Sequence, residues 1–224
     1  MSTSPAGMPF PTPEDTAESY WDAFYGGLDR PDDAIPSPNG LLVAEAGTLA
    51  AGSALDLGCG FGGDAIWLAG QGWRVTAVDV SGGALRRAAG YAVLAGVDVD
   101  WQRHDLTQTF PPGEFDLVCA QFLHSPLEQP GQRDSILRRA MNCVAPGGSL
   151  LVTGHGGIPE AMRGTPFDVH LPSTAELRTA LAPGAEWSIA TERTIVREVV
   201  GPDGRPFERE DSALRLERGP VTSR

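Results

Sequence analysis

Lysine is absent from this chain. Its 17 basic residues are all arginines, set against 29 Asp and Glu, for a net charge of −12 and a pI near 4.7. Proteins that hold polyphosphate backbones displace counterions with Lys and Arg, so DNA and RNA are unfavourable partners, as are anionic membrane surfaces. Cysteine is scarce too: Cys59, Cys119 and Cys143 are an odd number with no C-x-x-C pair, which argues against a disulfide framework or a zinc site and for reduced thiols in a cytoplasm. No apolar run approaches the length of a membrane span, and residues 1–10 lack the basic start and apolar core of a signal peptide, so a soluble, cytoplasmic protein is expected. What remains is ordinary globular composition, 41% hydrophobic over 224 residues, enough for one large domain to bury a core without metal or disulfide support.

Against that background one stretch is informative. Ala54-Leu-Asp-Leu-Gly-Cys-Gly-Phe-Gly-Gly-Asp64 is an apolar run ending in a glycine-rich turn, followed by the helical pattern of residues 65–69. The glycines at 58, 60, 62 and 63 permit a sharp turn and a close approach to a ligand. A dinucleotide would place its pyrophosphate there, but Asp56, two residues before the first glycine, would repel it and would attract an ammonium instead. Asp79 ends the next apolar run, 19 positions beyond Gly60, where a carboxylate can accept both hydroxyl protons of a ribose. One carboxylate for an ammonium and one for a ribose diol describe S-adenosylmethionine better than a nicotinamide cofactor.

The organisation supports a doubly wound α/β domain. Apolar runs at 54–57, 75–80, 97–101, 115–120 and 149–153 alternate with helical patterns at 63–70, 83–95 and 132–144, the pattern of a parallel sheet. Pro146-Gly-Gly148 reads as the end of the last of these helices. Ser173-Thr-Ala-Glu176 is a capping box opening a final helix to about residue 181. Beyond it, extended runs at 187–200 and 207–216 flank Gly201-Pro-Asp-Gly204 and read as an antiparallel hairpin, giving seven strands, mostly parallel. Residues 1–14 are proline-rich and expected to be a disordered lead; 15–50 are expected to form an N-terminal helical lid or cap; and 51–224 the ligand-binding domain. Arg133, Arg138 and Arg139 share one predicted helix and read as a solvated face.

From about Leu55 to His155 the chain resembles the class I S-adenosylmethionine-dependent methyltransferases. Asp56-Leu-Gly-Cys-Gly-Phe-Gly62 is similar to the first motif of that family and Val78-Asp79-Val-Ser81 to its ribose-binding strand end. His104-Asp105-Leu106, Phe115-Asp116-Leu117-Val118 and Val144-Ala-Pro-Gly-Gly-Ser-Leu-Leu151 resemble the later motifs in order. A looser likeness in the C-terminal part is to small-molecule enzymes of the tellurite-resistance and thiopurine type. The resemblance implies a Rossmann-like methyltransferase fold with S-adenosyl-L-methionine as cofactor and S-adenosyl-L-homocysteine as product. It places the cofactor along Asp56, Gly58, Cys59, Gly60, Asp79, Val80, Asp105, Leu106 and Gln121, with Asp105 on the adenine amino group and Leu106 against its ring. It implies no metal.

Methyl transfer is an in-line displacement that alignment and exclusion of water accelerate, so a base is optional unless the acceptor arrives protonated. His124, after the fourth strand, and His155, after the fifth, are the candidate bases or acceptor contacts. Structural histidines are the alternative for both. Tyr20, Trp21 and Tyr25 on the N-terminal helix are candidate lid residues, with packing on the sheet edge the alternative, and Phe122 is a candidate acceptor contact. Residues 156–172, rich in Gly and Pro, form a long connection placed to shape acceptor choice. The acceptor is expected to be a small molecule, with oxygen or nitrogen of a secondary metabolite, or a detoxified thiol or chalcogen, as the nucleophile. A monomer or homodimer is expected. Competing readings are a nicotinamide-dependent oxidoreductase, disfavoured by the missing Tyr-x-x-x-Lys pair, and a non-catalytic S-adenosylmethionine-binding protein.

Overall fold

The computed structural model of the chain describes residues 9–156, 170–200 and 206–220. Among these residues, six helices and seven strands follow in the order α1 (Ala17–Gly26), α2 (Gly40–Ala46), β1 (Ser53–Leu57), α3 (Gly63–Gly70), β2 (Arg74–Asp79), α4 (Gly82–Ala95), β3 (Asp100–Arg103), β4 (Phe115–Gln121), α5 (Gln132–Asn142), β5 (Val144–His155), α6 (Thr174–Leu181), β6 (Trp187–Val200) and β7 (Pro206–Arg218). All strands join one sheet in the order β3-β2-β1-β4-β5-β7-β6. Strands β1 to β5 run parallel, whereas β7 pairs antiparallel with both β5 and β6. The doubly wound, mostly parallel sheet and its reversed C-terminal hairpin are those expected.

Because the inner strands are covered on both faces, their residues are apolar in runs rather than in alternation. Leu55, Leu57, Val118 and Val152 pack on one face with Leu137 and Ala140 of α5 and Leu177 of α6. Ala54, Ala77, Leu117 and Leu151 pack on the other with Leu42 of α2 and Ala65 and Leu68 of α3. Crossover at β1 and β4 puts the switch in strand order beside the glycine turn, and ligands of such sheets bind outside the strand ends at that point.

Three details differ from the sequence reading. Pro146-Gly-Gly148 does not end a helix: α5 stops at Asn142, and β5 already begins at Val144, paired with Phe115. The register to β4 then shifts, resuming at Leu117 and Ser149, so the Pro-Gly-Gly segment is looped out within a strand, with Gly147 at φ +83. Strand β3 starts at Asp100, three residues beyond the predicted onset, since Val97 instead closes the C-terminus of α4 through its N–H to Ala92. Nor are the α5 arginines wholly a solvated face: Arg138 is exposed, but Arg133 and Arg139 are partly buried. Arg133 donates to the His170 carbonyl, Arg138 to that of Ala180, and Arg139 to that of Leu106 while lying over the Phe110 ring.

Of the N-terminal lead, residues 1–8 lie outside the described residues; Pro9 offers its carbonyl to the Tyr20 hydroxyl at 3.2 Å. The connection at 156–172 is likewise described only at Gly156 and from His170 onward.

Candidate active site

The glycine turn after β1 is tied down by its own backbone. The N–H groups of Gly58 and Cys59 both donate to the Val78 carbonyl, at 2.8 and 2.9 Å, so the turn rests on the end of β2. Gly58 and Gly60 have φ of +73 and +53, a region that side chains with a Cβ disfavour, and a Cβ on Gly60 would lie 2.7 Å from the Tyr25 hydroxyl. Asp79 ends β2 and binds this turn to the start of α4, its Oδ2 accepting from Gly60 N–H at 2.8 Å and its Oδ1 from Ser81 N–H at 2.9 Å. Burial raises its pKa, against which those backbone donors act.

Two cavities open along the strand ends. The first, about 320 Å³, is lined by Asp79, Val80, Asp105, Leu106, Trp21, Phe122 and His124, among others. The second, about 470 Å³, is lined by Asp56, Cys59, Gly60, Asp64, Asn39, Gln121, Arg197 and Asp211, among others. Gly58, Tyr25 and Phe122 border both, so the cavities are two ends of one cleft passing over the glycine turn.

The second cavity holds an uncommon set of buried polar atoms. Asp56 Oδ1 takes a weak hydrogen bond from the Cys119 thiol, and its Oδ2 is buried without a partner. Asn39 caps α2, with its Oδ1 occupied by the Leu41 N–H, which leaves Nδ2 buried and unpaired. Gln121 accepts the Thr153 hydroxyl on Oε1, which leaves its Nε2 equally unpaired. Unpaired buried polar groups cost about 1–3 kcal/mol each, so native proteins keep them chiefly where a ligand or water completes them. One carboxylate oxygen and two amide N–H₂ groups match the ammonium and carboxylate of an amino acid. The nearby Asp64 carboxylate, which accepts the Asn39 N–H, is pushed by burial up to about 6. Asp56 is raised further, by burial first and then by Asp64.

Most residues singled out from the sequence meet here. Asp105 borders the first cavity while its oxygens accept from the Thr107 N–H and hydroxyl and the Gln108 amide, so it also caps its own turn. Trp21 and Tyr25 face the cleft from α1, but Tyr20 does not: it is 1% exposed and bonded to Pro9, on the packing side of the helix. His124 and His155 come together, ring centres 5.6 Å apart, about a third cavity of only about 20 Å³. Burial, helped by His155 and two arginines, pushes His124 down to about 4.

The sequence reading missed Asn39, Asp64, Arg197 and Asp211. Asp64 was reachable, lying in the first turn of the helix that follows the glycines; the others are brought in by the fold from distant positions.

Residues 54–148 match a family model described as a methyltransferase domain. Among curated proteins, the chain is 29% identical over 147 residues to the ubiquinone biosynthesis O-methyltransferase of Xanthomonas euvesicatoria pv. vesicatoria, covering 65% of this chain and 59% of that protein. The chain thus spans about three fifths of the curated relative it matches. Two solved structures superpose over most of the chain. N-methyltransferase NodS of Bradyrhizobium japonicum WM9, in complex with S-adenosylhomocysteine, gives a TM-score of 0.67 at 19% identity over 91% of this chain and 99% of that one. A structure described for the conversion of a disulfide bond into a thioacetal group during echinomycin biosynthesis gives 0.68 at 23% identity, over 92% and 93%. At these identities the structural likeness is one of fold. The family match is to a methyltransferase domain within residues 54–148, and the two structures share the fold of this chain.

Proposed function

We propose that this chain transfers the methyl group of S-adenosylmethionine to a small-molecule acceptor. The observation that carries the reading is the second cavity, where Asp56 Oδ2, Asn39 Nδ2 and Gln121 Nε2 are buried and unpaired within one cleft that also holds Asp79. Asp56 would receive the ammonium, and the two amides the carboxylate, of the methionine portion. Asp79 would receive the ribose hydroxyls, with Leu106 and Asp105 at the adenine end. When bound, the cofactor supplies a methyl group activated on a sulfonium. The protein aligns and dries the site: Trp21 and Tyr25 on α1 cover the cleft, and Phe122 borders it where the acceptor would approach.

The strongly negative net charge and a cleft walled by carboxylates favour a small acceptor over a nucleic acid. A thiol or chalcogen acceptor, the looser likeness to detoxifying enzymes, competes with oxygen or nitrogen of a metabolite. Incubation with S-adenosylmethionine and a panel of phenols, amines and thiols, followed by mass spectrometry, tests the reading. S-adenosylhomocysteine and a methylated product are expected together. Cofactor binding with no transfer across a broad panel would favour the non-catalytic alternative.

A further inference from the structure

β5 and β7 pair so that His155 lies directly opposite Asp211, and residues so paired share one face of the sheet. On that face His155 Nδ1 meets Asp211 Oδ1 at 2.8 Å, with the carboxylate 2% exposed and the imidazole 18%. The other carboxylate oxygen accepts Nε of Arg197 on β6, and Arg209, on β7 itself, lies 3.4 Å from Oδ1. Burial opposes the negative charge on Asp211, but these hydrogen bonds and the Arg209 charge outweigh it and hold the carboxyl below its usual range. An ionised carboxylate accepts only, so Nδ1 must carry the proton in this bond, and a neutral His155 keeps its lone pair on Nε2. Burial keeps the ring neutral by lowering its pKa, and Arg209 and Arg197 act in the same direction against the pull of Asp211.

Phe122 fixes the ring plane. Its side chain stacks on His155 with centroids 4.1 Å apart and planes at 23°. It reaches that position because its backbone turns to φ +52 directly after β4, a left-handed conformation that is unfavourable for a non-glycine residue and persists where the surroundings enforce it. Phe122 also borders both large cavities and, with His155 and His124, the small third one, so His155 adjoins the cleft through the Phe122 ring. His124, the neighbouring imidazole, faces Arg133 of α5 and Arg209 of β7 as well as His155, and at about 4 its pKa makes it a weak base.

We infer that Asp211 is the positioning residue for His155, and that His155 Nε2 takes the proton of a hydroxyl acceptor such as a phenol. This rests on the methyl-transfer reading and names the nucleophile that reading leaves open. The acceptor O–H bond breaks as its proton passes to Nε2. The oxygen pair forms the new O–CH₃ bond with a sulfonium methyl donor, and the C–S pair leaves with sulfur as a neutral thioether. A thiol ionises unaided near neutral pH and has little need of the pair; a phenol, with a pKa near 10, needs it.

The test reads the imidazole first and transfer second. Nitrogen-15 NMR of the full chain at neutral pH is expected to show His155 neutral with its proton on Nδ1. In Asp211→Asn, whose amide can donate to the ring, the proton is expected to move to Nε2, and Asp211→Glu should restore the original form. A wild-type ring protonated on Nε2, or a tautomer that Asp211→Asn leaves unchanged, overturns the inference, and the wild-type spectrum decides this even where the variant fails to fold. In transfer assays with 4-methylphenol, whose hydroxyl stays protonated at neutral pH, and thiophenol, His155→Ala is expected to lower kcat for the phenol at least about 100-fold, with added imidazole restoring part of it, and to alter the thiol rate little. Equal losses on both acceptors, or transfer to the thiol alone in the wild type, also overturn it. Failure of the underlying reading looks different: the protein then binds no S-adenosylmethionine in calorimetry, while the tautomer result is unaffected.

Discussion

Asp64 makes the site's electrostatics measurable residue by residue. Its carboxyl is pushed up to about 6 from an ordinary 3.8 by burial, so between those values the folded state binds a proton that the unfolded chain releases. Stability from this group is therefore present below about pH 4 and is lost as pH rises through about 6; Asp64→Asn is expected to flatten that decline in a melting series across the range. A bound ammonium reverses the preference, so the affinity of S-adenosylmethionine should rise over the same pH window, with a proton released that appears as a buffer-dependent binding enthalpy. Asp79→Ala is expected to reduce cofactor affinity at least about 100-fold and to lower Tm, because the carboxylate also holds the N–H groups of Gly60 and Ser81. Unchanged affinity by calorimetry would remove the ribose assignment. Asp56 and Asp79 were legible from spacing alone, since both sit at strand ends flanking a glycine turn. Asn39 and Asp211 were not: Asn39 reaches Asp64 across 25 positions and Asp211 reaches His155 across 56, and only strand register and helix placement bring them together.

At the scale of elements, α1 is held to the domain by its polar side. Its Thr16 cap exchanges hydrogen bonds with Ser19, and Asp22 accepts from the Ser81 hydroxyl at 2.5 Å and the Gly83 N–H at 3.0 Å, at the positive end of α4. Glu18 adds an ion pair to the exposed Arg103. This arrangement puts Trp21 and Tyr25 over the cleft, where Tyr25 also packs against the Phe61 ring. Asp22→Ala is expected to cost about 1–2 kcal/mol of local stability. Hydrogen exchange should then quicken in α1 while β1 and β4 keep their protection; unchanged exchange in α1 would mean that the helix is fixed by its aromatic packing instead. Helices α3 and α4 were readable because glycine, serine and apolar spacing agreed at their ends. The start of β5 was not, because Pro146-Gly-Gly148 carries the composition of a helix terminus, yet the pairing of Phe115 with Val144 draws the chain into the sheet before it.

For the molecule as a whole, a net charge of −12 loads the folded state with self-repulsion that salt relieves. Raising ionic strength from about 0.01 to about 0.1 M shortens the screening length from about 30 to about 10 Å, and Tm is expected to rise across that range. A flat or falling Tm would show that the ion pairs at Arg215, Arg193 and Glu45 outweigh the repulsion. The same sheet that spreads this charge gathers the polar groups at one end, where β1, β2, β4 and β5 finish beside the reversed β7. What that end binds is the central claim, and parallel calorimetric titrations of the full chain with S-adenosylmethionine, S-adenosylhomocysteine and NADH test it most directly. Binding of the first two without NADH is the expected result; binding of NADH alone would contradict the reading of Asp56 and of the cleft as a whole.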